Sequence, residues 1–292
     1  MSLPGSSSNP RAGEFARLIR PQMTLLPLIV YAGILVFSDG ISHLFTKLVL
    51  GWILLLCAYG IVVIHNNLSD LEIDKMNHRV DNPLTTGVLS REDALRAQMV
   101  SFAIGSMAAL LINVYALIWL AVYIFLGWLY SGVFGFKNKR YLAIVILGIS
   151  YGVMPWMLGY IALPSTYDSR LIIAAFASFL YVAGIIILKD IKDIRGDKVH
   201  KKMTLLVVKG WSFTRRFMLM LTSAGYLVCC ICAAIYNHWM LWFLGIFLLL
   251  LNVYVLSKRK LFTSSSYRGK YGSALRILFF CYALGVWAVM KW

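Results

Sequence analysis

The chain has 292 residues, is 60% hydrophobic and only 14% charged, and carries a formal net charge of +16 with a mean hydropathy of +0.76. Soluble domains contain about a quarter charged residues, so this composition excludes a soluble globular protein and indicates a polytopic membrane protein. The excess of Lys and Arg does not indicate a nucleic acid partner, because those residues sit in short loops between apolar runs and not on one soluble face.

Residues 1–19 are polar, with Ser6, Ser7, Ser8 and Pro10, and lack the apolar core of a cleavable signal peptide. They read as a flexible cytoplasmic tail ahead of one transmembrane domain over 20–292. Apolar runs follow at about 22–38, 46–66, 95–114, 116–135, 141–162, 170–189, 215–236, 238–257 and 273–291. A bilayer core needs about 20 helical residues, so each run predicts one span and the chain predicts an all-α bundle of nine transmembrane helices. Pro27, Pro155, Gly148, Gly152 and Gly159 fall inside spans and mark kinks or close helix contacts. Trp128, Tyr130, Trp239, Trp242 and Trp287 lie near run ends, where aromatic side chains form interfacial belts or line a cavity. The five cysteines, Cys57, Cys229, Cys230, Cys232 and Cys281, are odd in number, lie within spans and show no CxxC pairing, so they read as packing residues.

With nine spans, every Lys and Arg except Lys47, Arg170 and Lys291 falls on one side of the membrane, together with every acidic residue except Asp39 and Asp168. By the positive-inside rule that side is the cytoplasm, which puts the N-terminus inside and the C-terminus outside, in the plasma membrane of the cell. Both acidic segments, at the ends of spans two and six, therefore share the cytoplasmic edge.

Those segments are Asn66-Asn67-Leu68-Ser69-Asp70-Leu71-Glu72-Ile73-Asp74 and Lys189-Asp190-Ile191-Lys192-Asp193-Ile194-Arg195-Gly196-Asp197. In the first, Asn66, Asp70 and Asp74 recur every four residues and share one helical stripe. In the second, Asp190, Asp193 and Asp197 do so at spacings of three and four. A lone acidic stripe at a helix end is commonly a solvated cap; two at equivalent ends of two spans are a functional signal. Oxygen-only donor sets favour Mg2+, which keeps waters and shares itself with substrate phosphates, so two facing stripes suit metal ions bridging a diphosphate. Lys137, Lys139, Arg140, Lys189, Arg79 and Arg20 lie on the same face as fixed cations for such a group. Lys201, Lys202 and Lys258-Arg259-Lys260 read as topology signals, and Ser90-Arg91-Glu92-Asp93 as a capping box opening a helix.

The two acidic segments together resemble the UbiA superfamily of intramembrane prenyltransferases. The family's NDxxDxxxD segment stands here at 66–74, followed by Asn82-Pro83-Leu84-Thr85-Thr86-Gly87 where the family has Arg-Pro-Leu/Ile and a small-residue turn. Its second segment, KDxxDxxGD then Thr-Leu, stands at 189–197 and Thr204-Leu205. Arg20-Pro21 before span one and Tyr130-Ser131 with Lys137 after span four are further echoes. The resemblance implies a nine-helix bundle around a central cavity open to lipid. It implies one Mg2+ on Asn66, Asp70 and Asp74 and another on Asp193 and Asp197, with Asp190 and Asp193 at the chemistry; Asp190 either helps bind metal or accepts the acceptor's proton. Lys137, Lys189, Arg79 and Arg20 then hold the diphosphate. Two positions depart from the family pattern: Asn67 replaces an Asp and Asn82 an Arg, with Arg79 available from the preceding turn. Both departures sit where substrate is handled.

The reaction expected is Mg2+-dependent transfer of a polyprenyl group from an isoprenoid diphosphate to an aromatic quinone precursor or a polar lipid. Terpene cyclisation with the same ionising machinery is the alternative. A carboxylate-coupled carrier is disfavoured, because the carboxylates lie at the membrane edge and the flanking spans are uninterrupted.

Overall fold

A computed structural model of the chain describes residues 10–38, 43–76, 82–163, 169–199, 203–258 and 264–291. Among the described residues the architecture is helical. In chain order the helices are α1 (Pro10–Ile19), α2 (Leu25–Val36), α3 (Leu44–Ser69), α4 (Leu71–Met76), α5 (Arg91–Ile112), α6 (Val114–Ser131) and α7 (Arg140–Gly148). They continue with α8 (Met154–Ala162), α9 (Ser169–Ile185), α10 (Asp190–Val199), α11 (Leu205–Ile235), α12 (Trp239–Ser257) and α13 (Ser265–Lys291).

Among the described residues, eight segments are long and apolar enough to cross a membrane: α3, α5, α6, α7 with α8, α9 with the turn after it, α11, α12 and α13. The first expected span becomes the ninth as a bent pair, Gly13–Ile19 and Pro21–Val36, meeting at 41°. The bend has a local cause. Arg20 precedes Pro21, whose ring disfavours the helical region for its predecessor, and Arg20 adopts the left-handed conformation (φ 55°, ψ 59°) instead. The expected flexible tail is thereby corrected over its second half: Pro10–Ile19 is a helix that packs on α3. Leu18 is fully buried in a cluster with Ile64, Leu84, Leu89 and Ala94, an apolar stripe the polar composition concealed.

Hydropathy located the spans, and capping chemistry trims them. Asn113 alone separates α5 from α6: its Oδ1 accepts the Ala116 N–H at 2.9 Å while its Nδ2 donates to the Ile161 carbonyl at 2.8 Å. Ser90 and Asp93 form the expected capping box at the start of α5. Helix α11 begins ten residues before the expected 215, with Thr204 as its N-cap and a break at Gly210 (φ 71°), a conformation open to glycine and costly for other residues.

Two cores meet across the bundle. One joins α3, α5, α6 and α8 around Tyr59, Trp119 and Leu54; the other joins α9, α11, α12 and α13 around Tyr181, Tyr226 and Phe279. Helix α2 contributes to both, through Tyr31 and Leu35 to the first and Val30 and Ile34 to the second. At Gly152 a Cβ would stand 2.7 Å from the Ser178 carbonyl oxygen, so the backbones of this span and α9 touch directly. Trp287, expected at an interfacial belt, is instead fully buried, edge-on to Trp156 at 6.4 Å.

At the end of the bundle away from the acidic segments, Lys47 Nζ donates to the Ala162 carbonyl at 3.0 Å and Arg170 Nη1 to the Met290 carbonyl. These carbonyls belong to the last turns of α8 and α13, where unpaired acceptors and the negative end of the helix dipole gather.

Candidate active site

The first acidic stripe forms as expected. Asp70 N–H donates to the Asn66 carbonyl at 3.0 Å and Asp74 N–H to that of Asp70 at 2.8 Å, carrying the helical register across the junction of α3 and α4. Each side chain of the stripe has a partner from elsewhere. Ser131 Oγ donates to Asn66 Oδ1 at 2.7 Å. Lys137 Nζ pairs with Asp70 Oδ1 at 2.8 Å, both side chains nearly buried. Asn82 Nδ2 donates to Asp74 Oδ2 at 3.1 Å, with both residues buried.

The Asn82 contact gives the departure from Arg a structural role. Its Oδ1 accepts the Leu84 N–H at 3.1 Å, closing an Asx turn that fixes the amide, so the neutral Nδ2 orients Asp74 without cancelling its charge. Asn67 is buried beside the stripe, and its Nδ2 has no hydrogen-bond partner among the described residues. Arg79 lies outside the described residues.

The second stripe occupies α10, which holds Asp190, Asp193 and Asp197. Asp190 is half-buried and Asp197 buried; the Asp193 side chain lies outside the description. The 3-10 turn Ile186–Lys189 tightens the end of the preceding span and aims Lys189 back across the bundle. Lys189 Nζ donates to Tyr130 Oη and lies 4.8 Å from the centre of that ring.

Tyr130 and Ser131, adjacent at the end of α6, thus touch one motif each: Tyr130 holds Lys189, and Ser131 holds Asn66. A second tie is the isolated bridge between Lys139 and Met203, with the Arg140 N–H donating to the Met203 carbonyl at 3.1 Å. It pins the loop that carries Lys137 to the loop that follows α10. The two acidic segments therefore share one end of the bundle, as their charges predicted.

Sequence reasoning missed Tyr151. A π-helical turn over Ile149–Val153 interrupts the span between α7 and α8 and reorients this side chain. Its ring meets Tyr59 edge-on at 5.2 Å, Tyr59 meets Tyr123 at 4.9 Å, and Tyr123 stacks on Trp119 at 5.3 Å. Its hydroxyl interacts electrostatically with Lys189, Tyr130, Arg20 and Arg276. The only signal in the sequence was Gly152 near Pro155 within an apolar run, which marks irregularity without telling which side chain it turns inward.

The donor set of the two stripes is hard oxygen: one amide and several carboxylates. Among the described residues no three acidic, His or Cys groups converge into a ready-made metal cage. That suits a cation which completes its shell with water and substrate oxygens, as Mg2+ does.

A model of the UbiA prenyltransferase family matches residues 25–289. A digeranylgeranylglyceryl phosphate synthase of Pyrococcus furiosus is 32% identical over 206 residues, which cover 67% of this chain and 69% of that protein. The synthase of the same name from Thermococcus kodakarensis is 30% identical over 202 residues, with the same coverage of both chains. A solved structure of a UbiA homologue from Archaeoglobus fulgidus, bound to DMAPP and Mg2+, superposes with a TM-score of 0.73 at 19% identity, over 94% of this chain and 98% of that one.

Proposed function

We propose, for a chain that belongs to the UbiA prenyltransferase family and is an integral membrane prenyltransferase, that it transfers a polyprenyl group from its diphosphate to the free hydroxyl of a glyceryl phosphate lipid. The observation that carries this reading is the Tyr130–Ser131 pair, which ties Lys189 to Asn66 and so joins the two acidic stripes at one end of the bundle. The relatives named as digeranylgeranylglyceryl phosphate synthases support the lipid acceptor over an aromatic one.

In this reading Asn66, Asp70 and Asp74 hold one Mg2+, and Asp193 and Asp197 a second. The bound metal supplies Lewis-acid neutralisation of charge on the diphosphate. Lys189, Lys137 and Arg20 clamp the diphosphate oxygens as charge builds on the leaving group. The donor's C–O bond breaks with its electron pair leaving on the diphosphate. The allylic cation meets the tyrosine faces of Tyr151, Tyr59 and Tyr123, which stabilise it and exclude water. The acceptor oxygen then forms the new C–O bond and gives its proton to Asp190. The end of the bundle that carries the stripes faces the cytoplasm on the charge asymmetry, with the C-terminus outside and the chain in the plasma membrane.

The test supplies purified protein with Mg2+, geranylgeranyl diphosphate, and either geranylgeranylglyceryl phosphate or 4-hydroxybenzoate, and identifies products by mass. The expected product is the doubly prenylated glyceryl phosphate. Prenylation of the aromatic acid alone overturns the lipid assignment, and diphosphate release with cyclic hydrocarbon and no acceptor product overturns the transfer reaction.

A further inference from the structure

Helix α13 brings into the bundle a cation that neither acidic stripe uses. Arg276 lies roughly halfway along the helix and is half-buried. Its Nη2 donates to Ser273 Oγ at 3.2 Å, one turn back, while its Nε is buried with no hydrogen-bond partner among the described residues. Among the described residues no carboxylate pairs with it, in contrast to Lys137 on Asp70. Keeping a guanidinium inside a membrane span with a donor unspent is costly, and such a charge marks function by default.

The surroundings narrow what the charge is for. Arg276 stands on α13 between Gly272, where a Cβ would lie 3.4 Å from the Leu188 side chain, and Phe279, whose ring stacks on Tyr181 at 3.9 Å; it lies within electrostatic reach of Tyr151, the residue in the π-helical segment. Tyr151 is likewise within electrostatic reach of Lys189 and Arg20, which the proposed reaction assigns to the donor. An anion bound on Arg276 would therefore lie next to the donor diphosphate and not in its place. Two phosphate-bearing substrates at one site repel each other strongly in a poorly solvated interior, so each needs its own cation. In a glyceryl phosphate only a few bonds separate the reacting hydroxyl from the phosphate, so the phosphate must be held close to the chemistry. The side of a guanidinium formed by Nε and Nη2 is the edge that pairs with two oxygens of one phosphate, and Ser273 already sets its orientation.

We propose that Arg276, with the hydroxyl of Tyr151, is the binding site for the acceptor's phosphate monoester, distinct from the metal-supported donor site. This rests on the lipid-acceptor reading above, so the test has an arm that needs no turnover. In metal-free protein without donor, geranylgeranylglyceryl phosphate raises the melting temperature more than its dephosphorylated alcohol does, and Arg276→Gln abolishes that difference. Inorganic phosphate alone gives no Arg276-dependent shift; an equal shift overturns the lipid assignment in favour of a free-phosphate site. In turnover, Arg276→Gln raises the KM for the phosphorylated acceptor about tenfold or more, the scale of a lost charge-assisted hydrogen bond, and leaves the KM for geranylgeranyl diphosphate within about twofold. Arg276→Lys recovers part of the loss, and Tyr151→Phe raises the acceptor KM several-fold in a chain of unchanged charge. A parallel rise in the donor KM, or an unmoved acceptor KM in both Arg276→Gln and Tyr151→Phe, overturns the proposal. Wild-type protein that melts higher with the phospholipid yet makes no prenylated product keeps the phosphate site and removes the proposed reaction.

Discussion

Lys137 and Lys189 bring the same charge to the same end of the bundle from its two halves, and they are held in opposite ways. Lys137 is paired with Asp70, a carboxylate the proposed reaction needs as a metal ligand. Lys189 donates to the Tyr130 hydroxyl and lies over its ring, which fixes the ammonium, with Asp190 acting on it electrostatically and no ion pair closed on it among the described residues. The first arrangement is a closed pair that a divalent cation must open; the second is a cation set in advance. The halves of the site thus divide the work. One stores its charges against each other until substrate arrives, and the other keeps an electrostatic attraction for the diphosphate throughout.

Asp70→Ala breaks the comparison most severely, because it removes a metal ligand and leaves Lys137 unpaired. Turnover falls about a thousandfold or more, the several kcal/mol expected of lost metal support, while the protein still inserts and elutes as folded; full activity in this variant removes the metal assignment. Asn82→Ala takes the amide from Asp74 in a buried slot. Thermal or denaturant unfolding should register a loss of about 1.5–3 kcal/mol, the scale of one hydrogen bond to a charged group. Unchanged stability together with unchanged Mg2+ dependence would mean that Asn82 is only part of a turn. Lys137→Gln removes the competitor for Asp70, so calorimetry without donor should find Mg2+ binding several-fold tighter, even as the donor KM rises. Weaker Mg2+ binding would show that the pair is not a stored one. The smallest effect is expected from Asn67→Asp: turnover stays within about threefold, and melting drops in metal-free protein because a buried carboxylate lacks a partner, with recovery when Mg2+ is added.

The spans and the shared end of the two acidic segments were legible because each depends on composition over a long window. Hydropathy over about 20 residues reports burial in lipid, and the Lys and Arg distribution reports which ends lie together. The stripe at Asn66, Asp70 and Asp74 was legible because helical periodicity is a local property. Four things were not. Asn82 reads as a lost phosphate contact, since nothing in the sequence says that a turn returns its amide to Asp74. Tyr151 depends on one inserted residue in a helical turn, which period counting over an apolar run does not detect. Arg276 sits only three residues into the expected 273–291 run and so reads with the adjacent loop charges that set topology; its buried Nε, without a hydrogen-bond partner among the described residues, emerges only in the folded helix. Helix α1 was hidden for a related reason: a single apolar stripe through Phe15, Leu18 and Ile19 suffices when one face of a short helix needs covering.

Two of the three cations that break the charge asymmetry, Lys47 and Arg170, donate to carbonyls in the last turns of α8 and α13. They fasten one rod to the next at the rim remote from catalysis, like clasps on staves. Their chemistry is therefore architectural, and removing either charge should loosen that rim without inverting the chain's insertion. The stiffness so gained is exported to the opposite rim, where helices anchored at their far tips have less freedom to splay as substrates enter and depart.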